Sequence, residues 1–250
     1  MLITDIFRYP VKGLPPDRLK RVSLTVGEGI PSDRRFAIAH GRSDFDFDRP
    51  RWTRRNNFLV VAHSPGFAAI RCSFDVDGSS VSLEIGAGDP VTADLTTNEG
   101  RRDLAAAVSR YAGASQTGPY VVVDVPGTSL TDSPRQAVSI LSKSSLGDLE
   151  RRVGQPIDPR RFRGNLWIDE APAWAELDWV GGAIQIGGAT LEVVERIERC
   201  AATSANPETG DQDLSVPRLL KDLYGHVDFG VLAEVTAGGL VAPGDDVRRL

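Results

Sequence analysis

The sequence predicts a mainly β chain with a few helices, an α+β fold made of two β-barrel-like domains, and three observations predict it. Its 250 residues include 25 glycines and 16 prolines, which favours frequent turns over long helices. Short runs alternating apolar and polar residues recur in both halves, while few stretches carry the 3.6-residue period of an amphipathic helix. Strands bounded by turn residues dominate from end to end, an arrangement that barrels or barrel-like sheets fit best.

Residues 2–12 alternate up to the Tyr9-Pro10 step, where proline cannot continue a ladder, so a strand running into a loop is expected. Further strands are expected at 19–26, 35–39 and 58–62. Asp77-Gly78-Ser79-Ser80 supplies the turn of a hairpin between 70–76 and 81–85. Leu104, Val108 and Tyr111 share one face of a helix over 99–112. Small and polar residues at 113–118 then mark a boundary, giving domains 1–115 and 116–250. In the second domain, strands are expected at 120–125 and 136–141. A helix follows, with Leu146, Leu149 and Val153 on one face and Ser144 or Ser145 as N-cap. A hairpin joins 183–186 to 190–194, a short helix over 217–224 opens at Pro217 and closes at Gly225, and a final hairpin leaves 229–236 at Gly238-Gly239.

Several function classes drop out. No window approaches the roughly 18 apolar residues of a membrane span, and Asp5 and Arg8 interrupt the start, so neither a signal peptide nor membrane attachment is expected. Cys72 and Cys200 are expected as free thiols in a reducing cytoplasm, and two thiols cannot hold an iron–sulfur cluster on four thiolates. A net charge of -5 argues against nucleic acid as partner but leaves room for a local basic pocket. Gly86-Ala87-Gly88 lacks the third glycine of a dinucleotide fingerprint. His40, His63 and His226 lack ligand-like spacing, and Asp44, Asp46 and Asp48 lack the glycine and distal glutamate of a calcium loop.

Three clusters resist a purely structural reading. The first is Tyr9-Pro10-Val11-Lys12-Gly13 with Gly29-Ile30-Pro31-Ser32-Asp33-Arg34-Arg35. The second is Arg160-Arg161-Phe162-Arg163-Gly164-Asn165-Leu166-Trp167-Ile168-Asp169. The third is Glu198-Arg199-Cys200-Ala201-Ala202-Thr203 with Asn206-Pro207-Glu208-Thr209-Gly210. In order and spacing they resemble the MOSC family, named for the sulfurase C-terminal domain of molybdenum-cofactor metabolism, together with its companion N-terminal barrel. By layout the chain is similar to the amidoxime-reducing components within that family. Two departures stand out: Gly13-Leu14 replaces a frequent Ser-Cys, and Gly164 replaces a common proline.

The resemblance implies a molybdenum cofactor, a pterin whose ene-dithiolate grips the metal and whose phosphate is anionic. On residue type alone Cys200 is either a small core residue or a ligand; the resemblance makes it the metal-binding thiolate, a soft donor suited to a dithiolene-bound metal. Arg199 beside it would favour the thiolate. Lys12, Arg34 and Arg163 resemble the positions that reach the cofactor, as ammonium and guanidinium groups suit phosphate. Asn165, Ser144, Ser145 and Thr203 offer further polar contacts, the serines near a helix start. Arg160 and Arg161 are expected as surface charges, Cys72 as core, and Trp167, Trp174 and Trp179 as packing more than pocket wall.

The function implied is a molybdenum-dependent oxidoreductase that reduces small N-hydroxylated or other N–O compounds. With no flavin, nicotinamide or iron–sulfur signature in the chain, electrons would come from a separate flavin or iron–sulfur reductase. The alternatives are a cofactor carrier or insertion module, and a sulfur-transfer protein carrying a persulfide on Cys200.

Overall fold

The computed structural model describes residues 1–85, 89–112 and 118–250. In chain order the elements are β1 (Leu2–Arg8), β2 (Asp17–Leu19), β3 (Val22–Leu24), β4 (Phe36–Ala39), β5 (Arg71–Phe74), β6 (Ser80–Glu84), β7 (Val91–Asp94) and α1 (Asn98–Ala112). There follow β8 (Val121–Asp124), β9 (Val138–Ser142), α2 (Lys143–Val153), β10 (Leu166–Asp169), β11 (Ala183–Ile186), β12 (Ala189–Glu198), α3 (Val216–Tyr224), β13 (Asp228–Ala237), β14 (Gly239–Val241) and β15 (Val247–Arg249). The mainly β prediction with few helices holds. Among the described residues, no helix is long and apolar enough to cross a membrane.

The largest sheet runs β15-β11-β12-β13-β9-β10-β1-β2, antiparallel except for β9 beside β10. It curls until its ends meet. The Ile3 N–H donates to the Asp245 carbonyl at 3.0 Å, and the Val247 N–H donates to the Met1 carbonyl at 2.8 Å. Alternation then fills the interior, with Val138, Ile140, Leu166, Ile168, Leu191, Val193, Val231 and Ala233 all pointing into one apolar core. On the outer face, α2 and α3 cover Leu141, Phe162, Trp167 and Phe229, and Phe162 stacks on Phe229 at 4.1 Å between centroids.

A second core gathers β4, β8, the β5-β6-β7 sheet and α1 around Phe36, Leu83, Leu104, Val108 and Val122. The two cores exchange chain segments: β1 completes the large sheet from the N-terminal side, and β8 pairs with β4 from the far side of the expected boundary. The cut between 115 and 116 itself, like Gly86-Ala87-Gly88, lies outside the described residues.

Local outcomes depart from the sequence expectation in five places, the first being the expected strand 19–26, which is instead β2 pairing with β1 and β3 pairing with β14. Residues 58–62 form no strand. Phe58 makes a single bridge to Ala39, and Phe58, Leu59, Val60 and Val61 are all buried, because the segment threads between packed surfaces instead of presenting alternate faces. The cap of α2 is Ser142, whose hydroxyl accepts the Ser145 N–H at 3.3 Å, so neither Ser144 nor Ser145 is the N-cap. After Gly238 the chain does not fold back on β13; β14 pairs with β3, and the Leu240 carbonyl accepts from Gly188 at the β11–β12 turn. Strands β7, β10 and β15 carry too little alternation in three or four residues to be read from sequence.

Leu141 explains the missing proline at position 164. A Cβ at Gly164 would lie 2.2 Å from Leu141 Cδ1, and one at Gly230 would meet the Ile140 carbonyl oxygen at 2.6 Å and Leu141 Cγ at 2.9 Å. Gly230 also holds φ +78°, a conformation that costs a side chain further strain. Gly230→Ala is therefore expected to lower unfolding free energy by about 1–3 kcal/mol. Urea denaturation measures this, and an unchanged midpoint would mean that β13 and β9 have room to separate.

Candidate functional site

A cleft of about 580 Å³ opens where the two cores meet, and the three sequence clusters converge on it. Lys12 and Arg34 reach it from the first half of the chain, and Arg163, Asn165, Arg199, Cys200 and Thr203 from the second. Eight lining side chains are lysine or arginine and three are aspartate or glutamate, in a chain whose overall charge is -5. The positive potential is thus local, as an anion-binding site requires.

Tyr9 organises one wall. Its ring is buried, and the guanidinium carbons of Arg34 and Arg163 lie 4.3 Å and 4.5 Å from its centroid. Each such contact contributes on the order of 0.5–2 kcal/mol and fixes the plane of the cation. Asp33 accepts the Tyr9 N–H at 2.8 Å and pairs with Arg34, whose Nη2 donates to the Arg163 carbonyl at 2.7 Å. Arg163 in turn donates to the Leu14 carbonyl at 2.9 Å. Both arginines hold positive φ, +49° and +51°, so two bulky residues occupy a conformation that ordinary loops avoid. Burial pushes the Tyr9 phenol up to about 12, keeping it neutral.

Lys12 is buried, and its Nζ donates to the Leu130 carbonyl and to Asp132, both at 2.7 Å. Burial lowers its pKa, opposed by Asp132. Asp132 feels burial too, yet Lys12 and Arg55 outweigh it and hold its carboxyl below the usual range. Asn165 is spent on scaffolding: its Oδ1 accepts from the Ser139 N–H and hydroxyl, and its Nδ2 donates to the Phe7 carbonyl at 3.1 Å.

Cys200 is half-buried at the end of β12 and opens a 3-10 turn. Thr203 ties that turn down, its hydroxyl donating to the Cys200 carbonyl at 2.9 Å. Arg161 clamps the far side of the loop through the Ser204 carbonyl and Asp213 at 2.8 Å. Arg199 stacks no acid against itself. It donates through Nε to the Phe229 carbonyl and through Nη1 to the Phe162 carbonyl, each at 2.8 Å. Burial draws Arg199 down to about 9 and Arg163 down to about 10, and among the described residues neither has a carboxylate within salt-bridge distance. Guanidinium groups keep their proton at neutral pH, so these lowered values express a desolvation cost that a bound anion would offset. Arg161 Nε, also at the cleft, is buried and has no hydrogen-bond partner among the described residues.

Ser144 and Ser145 stand apart from the cleft. The Ser144 hydroxyl donates to Asp169 at 3.0 Å, and Ser145 bonds Glu176 and the Trp174 N–H, all at the covered end of α2. Arg161 is buried instead of lying at the surface, because it closes the cysteine loop. Trp179 is buried in the barrel interior, Trp167 lies on the outer face under α2 and α3, and Trp174 packs on Tyr224, so none of the three walls the cleft. Cys72 is half-buried in β5, its thiol pushed up to about 12 by burial. Sequence reasoning missed Arg55, which bonds Asp132 at 3.1 Å and has Cys200 within side-chain reach. Its one signal was the density of arginines at 49–55.

Fold and site together define a β-barrel protein with a cationic cleft and an accessible cysteine. Residues 127–248 match the MOSC domain family. It is similar to mitochondrial amidoxime-reducing component 1 of Mus musculus, 31% identical over 123 residues, which is 44% of this chain and 36% of the relative. The Xenopus laevis component 1 is 29% identical over 125 residues, 45% of this chain and 36% of the relative. The chain thus spans about a third of the length of these curated relatives. The crystal structure of YuaD protein from Bacillus subtilis aligns over 98% of this chain and 93% of its own at 13% identity with a TM-score of 0.45, too distant to bear on function.

Arg34→Ala and Arg163→Ala are each expected to weaken anion binding by about 1.5–3 kcal/mol, the loss of a charge-assisted contact. In a thermal titration with inorganic phosphate, the wild-type midpoint rises with ligand concentration and the variants need roughly tenfold more for the same rise. Equal shifts in all three proteins would place the anion elsewhere.

Proposed function

We propose that the cleft binds a molybdenum cofactor and that the protein is an oxidoreductase reducing small N-hydroxylated or other N–O compounds, with electrons from a separate flavin or iron–sulfur reductase. The observation that carries this reading is the meeting of Arg163 and Arg199, which have no acidic partner among the described residues, with the accessible Cys200 in one cleft. The MOSC match and the printed names of the relatives support it.

The donor set fits the cofactor's chemistry. Cys200 offers the soft sulfur that a dithiolene-bound molybdenum accepts, while Lys12, Arg34 and Arg163 offer an ammonium and two guanidinium forks to a phosphate. The orphaned Arg161 Nε is a further donor in the same wall. When bound, the cofactor supplies two-electron chemistry at the metal; the protein supplies orientation and electrostatics. Arg199 and Arg55 set positive charge around Cys200, where the cofactor's anionic groups would lie. Thr203 holds the Cys200 carbonyl so that the sulfur is presented at a fixed height, and Asn165 fixes the backbone that carries Arg163. Overall, two electrons and two protons cleave the N–O bond of a hydroxylamine and release an amine and water.

In protein from a host that makes the cofactor, Cys200→Ser is expected to abolish turnover and to remove one sulfur from the metal's coordination in X-ray absorption spectra. Cys72→Ser keeps both and changes only stability. Unchanged sulfur coordination in the Cys200 variant would refute the ligand assignment.

NADH or NADPH alone is expected to support no turnover, and a reduced viologen or an added reductase to restore it. Sustained reduction by NADH with no second protein would contradict the external-donor reading. Stoichiometric molybdenum and pterin without turnover from any donor would favour a carrier instead.

A further inference from the structure

Residues 40–57 form a loop whose ends are tied together: Ala39 bridges Phe58, the His40 N–H donates to the Asn57 carbonyl, and Asn57 Oδ1 accepts the Asp44 N–H at 2.6 Å. Its second limb is fixed to the cleft. Trp52 Nε1 donates to the Thr131 carbonyl at 3.0 Å, and Arg55 bonds Asp132; Thr131, Asp132 and Arg55 line the cleft that also holds Cys200. Within this limb, Arg49, Arg51 and Arg54 are exposed, and among the described residues none has an acidic partner, although the chain as a whole is negative. Residues 49–55 contain four arginines and no acid. The acids of the loop, Asp44, Asp46 and Asp48, precede this limb, and Asp46 accepts the Asp48 and Arg49 N–H groups. Phe47 beside them is 52% exposed.

Three unpaired guanidinium groups in six residues repel one another and add nothing to the stability of a loop already held by Trp52, Asn57 and Arg55. A run of unpaired arginines at the edge of the cleft has instead the composition of a docking patch that steers an oppositely charged protein. We infer that the Arg49–Arg54 limb is the docking surface for the electron donor, and that this donor is an acidic carrier protein. The inference rests on the function proposed above. Reduction of one N–O bond takes two electrons, so a one-electron iron–sulfur carrier would dock twice per turnover, and contact at the lip of the cleft brings each electron closest to the Cys200 end. An anionic membrane would also attract arginines, but it carries no electrons, and the overall negative charge of the chain opposes a broad membrane contact.

The test compares the cofactor-loaded protein with Arg51→Glu/Arg54→Glu and with a control of equal charge change on α1, Arg102→Glu/Arg110→Glu. The probe donor is an acidic plant-type [2Fe–2S] ferredoxin with its own reductase; a reduced viologen serves as donor needing no docking. Expected is at least a tenfold fall in ferredoxin-supported kcat/KM for the Arg51/Arg54 variant, with a flattened salt dependence, while viologen-supported turnover and Tm stay as in wild type and the control changes less than twofold. Equal ferredoxin rates in both variants overturn the docking surface. If wild type shows no viologen turnover, the proposed activity fails, and salt-sensitive ferredoxin binding, followed by titration, still decides the surface: binding lost only in the Arg51/Arg54 variant upholds an acidic protein partner, and binding equal in both variants overturns it. Arg51/Arg54-dependent sedimentation with phosphatidylserine vesicles, with ferredoxin binding unchanged, overturns it in favour of a membrane.

Discussion

The desolvated guanidinium groups of Arg163 and Arg199 are the constraint around which the rest of the cleft is arranged. Each is held by main-chain carbonyls, Leu14 for one and Phe162 and Phe229 for the other, which orient the charge without neutralising it. An acid in either place would have removed the cost of burial and the reason to bind an anion. The burial of these two guanidinium groups carries a cost that a bound anion would offset.

That arrangement is stable only because the surroundings are rigid. Leu141 fills the space left by Gly164 and Gly230, so β9, β10 and β13 approach closely at the barrel wall that bears the arginine segment. The aromatic stack of Phe162 and Phe229 fixes the two carbonyls that receive Arg199. Arg161 and Asp213 close the cysteine loop from outside, and Tyr9 supports Arg34 and Arg163 from the first half of the chain. The site is shared between the cores, and the passage of β1 into the large sheet is what carries Tyr9 and Lys12 to it.

Much of this was legible in the sequence, for identifiable reasons. Alternation marked β1, β6, β12 and β13, because each buries one face over several residues, whereas β4 is an apolar run and is buried on both faces. The clusters holding Lys12, Arg34, Arg163, Cys200 and Thr203 were legible because their order and spacing resemble the motifs of the MOSC family. Long-range exchange was not. Nothing in residues 2–8 says that they complete a sheet with residues 166–169, or that 121–124 returns to pair with β4. Ser144 and Ser145 misled because hydroxyls at a helix start suit an anion and a buried glutamate equally well, and here Glu176 takes Ser145. Arg55 was hidden among neighbouring arginines, since only the fold decides which one turns toward the cysteine.

The most direct test of the account is the metal and pterin content of the full chain purified from a host that makes the molybdenum cofactor. One molybdenum and one pterin phosphate per chain, both lost on Arg163→Ala while the variant remains folded, is the predicted result. Folded wild-type protein with neither molybdenum nor pterin, in a host whose other molybdenum enzymes are loaded, would contradict it.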